Sequence, residues 1–411
     1  MVAENADLVI QERRGALNLR LLLSGSTASI MGSRTVAFAY PLLVLAVTGS
    51  SVMAGWVAFA AMVPSMIFYL PAGIFVDRWD PRRTMLICET GSGVVGLILV
   101  TALFLDRTGA IFLAACAFIT GTLAVFYQLA EVKVVPLIVA QSDTPGALAK
   151  IEARNSLSSI VGRAAGGFLY AAAQFLPFLA NALASLFSAT LILLMRPARR
   201  AAPGNNRPGF RLTDFGPAMA LFRRDRFFLA SVLVGGVGNV IIHATFFVFL
   251  VGETLRGSSL TTLGLAFACT GAGGILGSLM ANALFKRYGY RLYIYTLWTW
   301  AGAMAVLVVA VNQVGFAVAA SLLTAAGTAG NVAVGTYVYR RVPEDILARV
   351  VSVDATFTFA GQAIGPVIGG VLLTFSGMRG AYSALFVSMA LVAAGATAVP
   401  ALRMADRSGS N

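Results

Sequence analysis

The segment Gly73-Ile74-Phe75-Val76-Asp77-Arg78-Trp79-Asp80-Pro81-Arg82-Arg83 sets five charges between two long apolar runs, Val52–Val76 and Thr84–Leu105. A turn this short joins two antiparallel helices at one membrane face. Its charges stay in the water on that side, because lipid offers them no partners. About 209 residues later, roughly half the chain, a weaker echo runs from Gly277-Ser278 to Phe285-Lys286-Arg287-Tyr288-Gly289-Tyr290-Arg291, again between apolar runs. A charged hairpin repeated once per half-chain predicts a duplicated membrane bundle.

Composition excludes a soluble domain. Hydrophobic residues make up 58% of the chain and charged residues only 11%, against about 25% charge in a soluble domain. Mean hydropathy is +0.82. The net charge of +13 would suggest nucleic acid in a soluble protein, but here the basic residues are distributed by membrane side, so no nucleic-acid partner is expected.

Apolar stretches of about 20 residues place twelve spans at 20–47, 52–76, 84–105, 109–132, 152–175, 177–195, 228–252, 258–284, 290–311, 314–338, 351–376 and 380–402. With these spans, 25 of the 30 Lys and Arg residues fall in the tails and alternate loops on one side, and only Arg107, Arg256 and Arg379 on the other. The positive-inside rule then puts both termini in the cytoplasm, the pattern of a multi-pass plasma membrane protein, in a bacterium the inner membrane. The first nineteen residues lack an apolar core with a small-residue cleavage site, so no signal peptide is expected.

The polar stretch 196–227 carries eight arginines with Pro197, Pro203 and Pro208. It reads as a cytoplasmic linker, with a short amphipathic helix at Phe215–Phe222. The division is thus a tail 1–19, a six-helix bundle 20–195, the linker, a second six-helix bundle 228–402 and a tail 403–411. The halves align elsewhere too. Val135-Pro136 precedes Gly162-Arg163-Ala164-Ala165-Gly166-Gly167, as Val342-Pro343 precedes Gly365-Pro366-Val367-Ile368-Gly369-Gly370. The expected fold is all-α, twelve transmembrane helices in two pseudo-symmetric halves, a form typical of secondary transporters.

These residues resemble the major facilitator superfamily over nearly the whole chain. Gly73-x-x-x-Asp77-Arg78 with Arg82-Arg83 is similar to the signature of the loop between its second and third helices, and the Gly-rich fifth span is similar to its antiporter motif. Pro41 through Ser50, Pro177-Phe178-Leu179 and Pro343-Glu344-Asp345 resemble the drug and siderophore exporters called transmembrane secretion effectors, which include enterobactin-exporter-like and macrolide-efflux-like proteins. Pro81 stands where many members carry a basic residue, and Arg163 where the antiporter motif has proline. The resemblance implies a gate of Gly73, Asp77, Arg78, Arg82 and Arg83, with Asp77 docking at the eleventh helix near Val350–Val353. Glu131 is expected to accept Arg82 or Arg83, and Asp354 to cap the eleventh helix. The plainer reading of the hairpin is a hydrophilic turn that fixes topology.

Within the spans, Arg34 and Arg163 lie near mid-membrane by count, where Arg costs about 2.5–3.5 kcal/mol on insertion scales. Each faces a cavity or a structural partner such as buried carbonyls or Glu89. As cavity residues they favour a substrate bearing carboxylate, phosphate, sulfonate or catecholate groups. Asn239, His243 and Gln362 complete the expected substrate lining, with simple packing as the alternative for His243. Glu89 and His243 are the proton-coupling candidates. Gly162, Gly166, Gly167, Gly365, Pro366, Gly369 and Gly370 allow close helix contact, whether as plain packing or as a sliding surface.

One His and three scattered Cys supply no metal site, and no nucleotide-hydrolysis or catalytic-triad pattern is present, so no cofactor and no enzymatic activity are expected. The expected function is export of a small amphipathic or anionic compound by a monomer in the lipid bilayer, driven by proton antiport. The alternatives are a facilitator or importer of an anionic metabolite, or a non-transporting receptor or scaffold.

Overall fold

A computed structural model describes residues 2–138, 144–195 and 225–399, with Leu221 and Leu402. Among them the backbone is helical almost throughout, as lipid demands of a chain whose N–H and C=O groups must bond to one another. The helices are α1 Val2–Thr48, α2 Ser51–Arg78, α3 Pro81–Phe104, α4 Ala110–Ile138, α5 Thr144–Ala172 and α6 Leu176–Leu194. After the linker come α7 Arg226–Leu255, α8 Leu260–Tyr288, a 3-10 turn Gly289–Arg291, α9 Leu292–Val309, α10 Gln313–Arg341 and α11 Glu344–Ala398. Gly377, with φ 64° and ψ −177°, breaks α11 into two arms. Only glycine takes such a φ without strain, so the reversal there needs a single residue.

The turns gather at two ends. The far end carries Gly49-Ser50, 105–109, 173–175, 256–259, 310–312 and Gly377; the other end carries the start of α1, the end of α11 and the turns near Asp80, Gly289 and Val342. Capping fits the sequence locally. Asp80 accepts from the backbone N–H of Arg82 at 2.9 Å and of Arg83 at 3.3 Å, with Pro81 at the first helical position, where it needs no donor. Asp225 does the same for Phe227 and Phe228 at the start of α7.

Among the described residues, nine segments are long and apolar enough to cross a membrane. Two of them, Leu260–Val309 and Arg349–Ala398, each contain a reversal, at the 3-10 turn and at Gly377. The segment α5 is not among the nine, although it packs as a full partner of α1 and α8. Large apolar side chains cover the outer surface, with Ile111 86% and Phe375 84% exposed. In water that surface would aggregate, and in a bilayer it is solvated.

Three boundaries differ from the expected ones. The α1 helix extends back to Val2, so residues 2–19 of the expected tail are helical; α5 begins at Thr144 rather than 152, and α11 at Glu344 rather than 351. Helices that project past the apolar core keep winding as long as their backbone bonds are made, so hydropathy marks only the lipid-facing part. The expected amphipathic helix at Phe215–Phe222 lies outside the described residues, Leu221 apart, and of the linker around it only 225–227 are described.

Packing sorts the helices into two groups. The first, α1 to α6, is held by α1 against α5 and α6, α2 against α4, and α3 against α4 and α6. The second is held by α7 against α11, α8 against α10, and α9 against α10 and α11. The main crossings that join them are α2 with α11 and α5 with α8, with a smaller contact of α1 on α7.

Candidate functional site

The repeated glycines position the centre of the molecule. On α5, Gly162 and Gly166 press on α1: a Cβ at Gly162 would stand 2.7 Å from Arg34 Cβ, and one at Gly166 would stand 3.0 Å from the Thr35 carbonyl oxygen. Gly167 turns instead to the other group, where a Cβ would come within 2.8 Å of Gly264 Cα on α8. The second copy repeats the arrangement. On α11, Gly365 presses on His243 of α7 at 2.7 Å and Gly369 on the Ala244 carbonyl at 2.8 Å, while Gly370 meets the Ser51 carbonyl of α2 at 2.5 Å. Each triplet therefore fastens its helix to its own group with two glycines and to the opposite group with the third.

These contacts bring Arg34, Arg163 and His243 near one another, three of the five expected substrate residues. Arg34 on α1, Arg163 on α5, Asn239 and His243 on α7, and Gln362 on α11 are all half-buried. Arg163 lies within electrostatic reach of both Arg34 and His243. Its Nη1 donates to Thr270 Oγ1 of α8 at 2.5 Å, a bond between the two groups. Among the described residues neither arginine has a carboxylate within ion-pair distance. His243 Nδ1 is 2.9 Å from the Asn239 carbonyl, which leaves Nε2 uncommitted. The Asn239 amide donates to the Gly235 carbonyl, one turn back, at 2.9 Å. The result is a polar layer with two positive charges and, among the described residues, no compensating carboxylate.

Toward the far end the layer is capped by aromatic rings, a feature the sequence analysis did not identify. Phe249 stacks on Phe316 with ring centres 3.5 Å apart. Phe267 meets Phe316 at 5.1 Å and, across the groups, Phe38 at 5.6 Å. Phe246 joins the cluster and also approaches His243, at 6.2 Å. Beside them Ser51 Oγ and Thr374 Oγ1 are 2.7 Å apart, tying α2 to α11. The far end is closed by this packing.

The expected gate is arranged differently where it is described. The side chains of Gly73, Asp77 and Arg78 lie outside the described residues. Arg82 does not reach Glu131: it donates to the Ile192 and Leu193 carbonyls at 3.0 and 2.7 Å, satisfying the open end of α6. Arg83 is exposed and only loosely approaches Asp80, at 3.9 Å. The partner of Glu131 is Arg154, which forks onto it with bonds of 2.6 and 3.0 Å, both side chains being buried. Because α11 starts at Glu344, the N–H groups of Val350–Val353 are inside the helix, and Asp354, ten residues in, caps nothing. Glu89 is 2% exposed and accepts from Ser188 at 3.1 Å, so it pairs with neither arginine of the polar layer.

A separate hollow of about 550 Å³ opens sideways between α8 and α10, lined by Leu265, Cys269, Val314, Val318 and Leu322 with little polar surface. It faces the bilayer rather than the arginines, and its chemistry suits hydrocarbon.

Comparison with known proteins shows the family to which this membrane bundle belongs. The family model described as Major Facilitator Superfamily matches residues 22–295 and 245–410. The chain belongs to the Major Facilitator Superfamily. It is 27% identical over 392 residues to an uncharacterized MFS-type transporter, y4rN, of Sinorhizobium fredii, covering 89% of this chain and 90% of that protein. Among solved structures it is similar in fold to the nucleoside transporter NupG, with TM-score 0.74, 14% identity, and coverage of 93% of this chain and 98% of that one. A bacterial homologue of the lysosomal transporter Spinster, in an inward-facing unoccupied conformation, matches with TM-score 0.72, 12% identity, and coverage of 96% and 97%. A bacterial homologue of ferroportin, also inward-facing, matches at 0.70, 14%, 93% and 99%. The facilitator is a multi-span membrane transporter of a small molecule, not an enzyme.

Proposed function

We propose that this facilitator exports a small anionic or amphipathic compound, a drug or a secreted metabolite such as a siderophore, by alternating access coupled to proton antiport. The reading takes residues 20–195 and 228–402 as two six-span halves joined by a cytoplasmic linker 196–227, with both termini in the cytoplasm of a bacterial inner membrane. The skewed Lys and Arg distribution supports that orientation. The two reversals inside the 50-residue segments, with α5 added, support twelve spans. On this topology the closed far end is the outer one, as in the inward-facing relatives.

The observation that carries the reading is the pair Arg34 and Arg163, brought together on adjacent helices with no carboxylate partner among the described residues. An anion that enters between them relieves their repulsion and gains charge-assisted hydrogen bonds, while Phe246 offers an apolar wall beside it. The protein in proteoliposomes is expected to move an acidic fluorescent compound in preference to a neutral or cationic one of equal size. Arg34→Gln is expected to remove that preference, and its persistence would end the anion reading. A second reading, facilitated diffusion or uptake of an anionic metabolite, is favoured by one observation: Glu89 is enclosed among serines and does not line the arginine layer. Transport that equilibrates regardless of the pH gradient would select it.

A further inference from the structure

Three of the five buried polar atoms that lack a hydrogen-bond partner among the described residues lie in one place, inside the first six helices: Tyr127 Oη, Arg154 Nε and Ser158 Oγ. Buried polar atoms are almost always paired with protein or with ordered water, so such a cluster marks a polar seam. At one end of the seam Arg154 forks onto Glu131 and also bonds Ser26 of α1 and, at 2.8 Å, Asn155. At the other end is Glu89, eight residues into α3 and so about 12 Å from its start at 1.5 Å per residue.

We infer that Glu89 is a proton-binding site, served by a water-threaded relay through Tyr127 and the Glu131–Arg154 pair and separate from the layer that holds Arg34 and Arg163. The inference rests on the antiport reading and names where its proton is carried. The groups facing Glu89 are Ser29 from α1, Ser185 and Ser188 from α6, Tyr127 and Glu131 from α4, and Cys88 from its own helix. None is a cation. A buried carboxylate held only by hydroxyls has no opposite charge to fix its state, in contrast to Glu131, which Arg154 holds as a bidentate ion pair. Tyr127 stands in the field of Glu89, Glu131 and Arg154 and faces Ser188, the residue that already donates to Glu89. Water among these groups completes a path from the terminal end of α4 and α5 to the carboxyl. The step is one proton from that side onto a Glu89 oxygen, and its release as the molecule returns.

The same helix connects this seam to the substrate layer. On α1, Ser26 touches Arg154, Ser29 faces Glu89 and Arg34 lies in the field of Arg163. Close contacts bracket the serines: a Cβ at Gly25 would stand 3.2 Å from Ser188 Cα, and one at Gly32 would stand 2.9 Å from Asn181 Cα, both on α6. Charging or neutralising Glu89 changes the bonds made by Ser29, Ser185 and Ser188, and so the seating of α1 on α6. Arg34 moves with α1.

The test uses the full-length protein in two assays. In lipid nanodiscs, infrared difference spectra between acidic and alkaline buffer are expected to show a protonated-carboxyl band that Glu89→Gln removes. In proteoliposomes, Glu89→Gln is expected to lose accumulation driven by a pH gradient, while substrate-for-substrate exchange continues without pH dependence; Glu89→Asp restores the gradient response with a displaced pH profile. Tyr127→Phe, which keeps the packing, is expected to slow gradient-driven transport with an enlarged solvent-deuterium effect. A wild-type protein that never accumulates substrate on a pH gradient overturns antiport, and the infrared arm then decides the site alone. A band unchanged in Glu89→Gln, or gradient-driven accumulation retained in that variant, overturns the inference.

Discussion

Arg163 Nη1 donates to Thr270 Oγ1 at 2.5 Å, and this bond joins two helices that belong to different halves of the molecule. In the repeat, the position of Arg163 corresponds to Pro366, whose carbonyl lies 2.6 Å from where a Cβ on Gly55 would stand. Both positions thus sit at a crossing between halves. The first copy has placed a hydrogen-bonding cation where the second has a residue that only packs.

Replacing Arg163 tests both of its roles. A hydrogen bond to a charged group contributes about 1.5–3 kcal/mol. Arg163→Ala is therefore expected to raise the KM for an acidic substrate by about 10- to 100-fold, and Arg163→Lys by less, because the charge stays while the fork is lost. Initial rates in proteoliposomes against substrate concentration check this; equal KM values in all three proteins would argue against it.

The third glycine of each triplet sets how tightly the far end closes. A Cβ at Gly370 would stand 2.5 Å from the Ser51 carbonyl oxygen, and Gly167 abuts the Leu260 carbonyl and Gly264. Overpacking costs about 1–3 kcal/mol, enough to move a two-state equilibrium by about tenfold or more. Gly167→Val and Gly370→Val are expected to hold the far end open, so that a cysteine placed at Thr374 reacts about ten times faster with a water-soluble maleimide. Gly302, with nothing near its Cβ position, serves as the control.

The Glu131–Arg154 pair bridges α4 and α5 within the bundle. Removing one partner of a buried pair costs about 3–5 kcal/mol, because the other charge is left uncompensated. Arg154→Met is expected to lower the Tm in detergent markedly, while adding Glu131→Leu to it recovers most of the loss. A thermal melt of the two variants beside wild type decides the matter; a double variant as unstable as the single one would show that the charges matter individually.

The aromatic cap is expected to act as a seal as well as a core. Truncating a buried Phe costs about 3–5 kcal/mol, and Phe249 loses its stacked partner Phe316 when truncated. Phe249→Ala should both lower Tm and give a substrate leak in the absence of any gradient. Efflux of preloaded compound from proteoliposomes measures the second effect independently of the first.

Much of the fold was legible because lipid imposes a simple rule on composition. The spans 52–76 and 177–195 agree closely with α2 and α6, whose apolar side chains face outward. The helix α5 was harder to delimit, since Lys150, Arg154, Asn155 and Arg163 interrupt its apolar run; Arg154 and Arg163 turn into protein and bond there. Of the site, Arg34, Arg163 and His243 could be picked out because a charge or a lone imidazole in a span is rare. The pairing of Glu131 with Arg154 rather than Arg82 was not legible, for it depends on which faces of α4 and α5 meet. The aromatic cap was hidden by abundance, its five members being lost among 27 phenylalanines.

The sideways hollow between α8 and α10 has a practical use. Cys269 lines it and is half-buried, whereas Cys88 and Cys116 are enclosed in the core. A lipophilic thiol reagent should therefore mark the native chain at one address, just behind Thr270, without any prior cysteine removal. A dye fixed there would sit one residue from the contact by which Arg163 grips the helix, a reporter installed by the wild-type sequence itself.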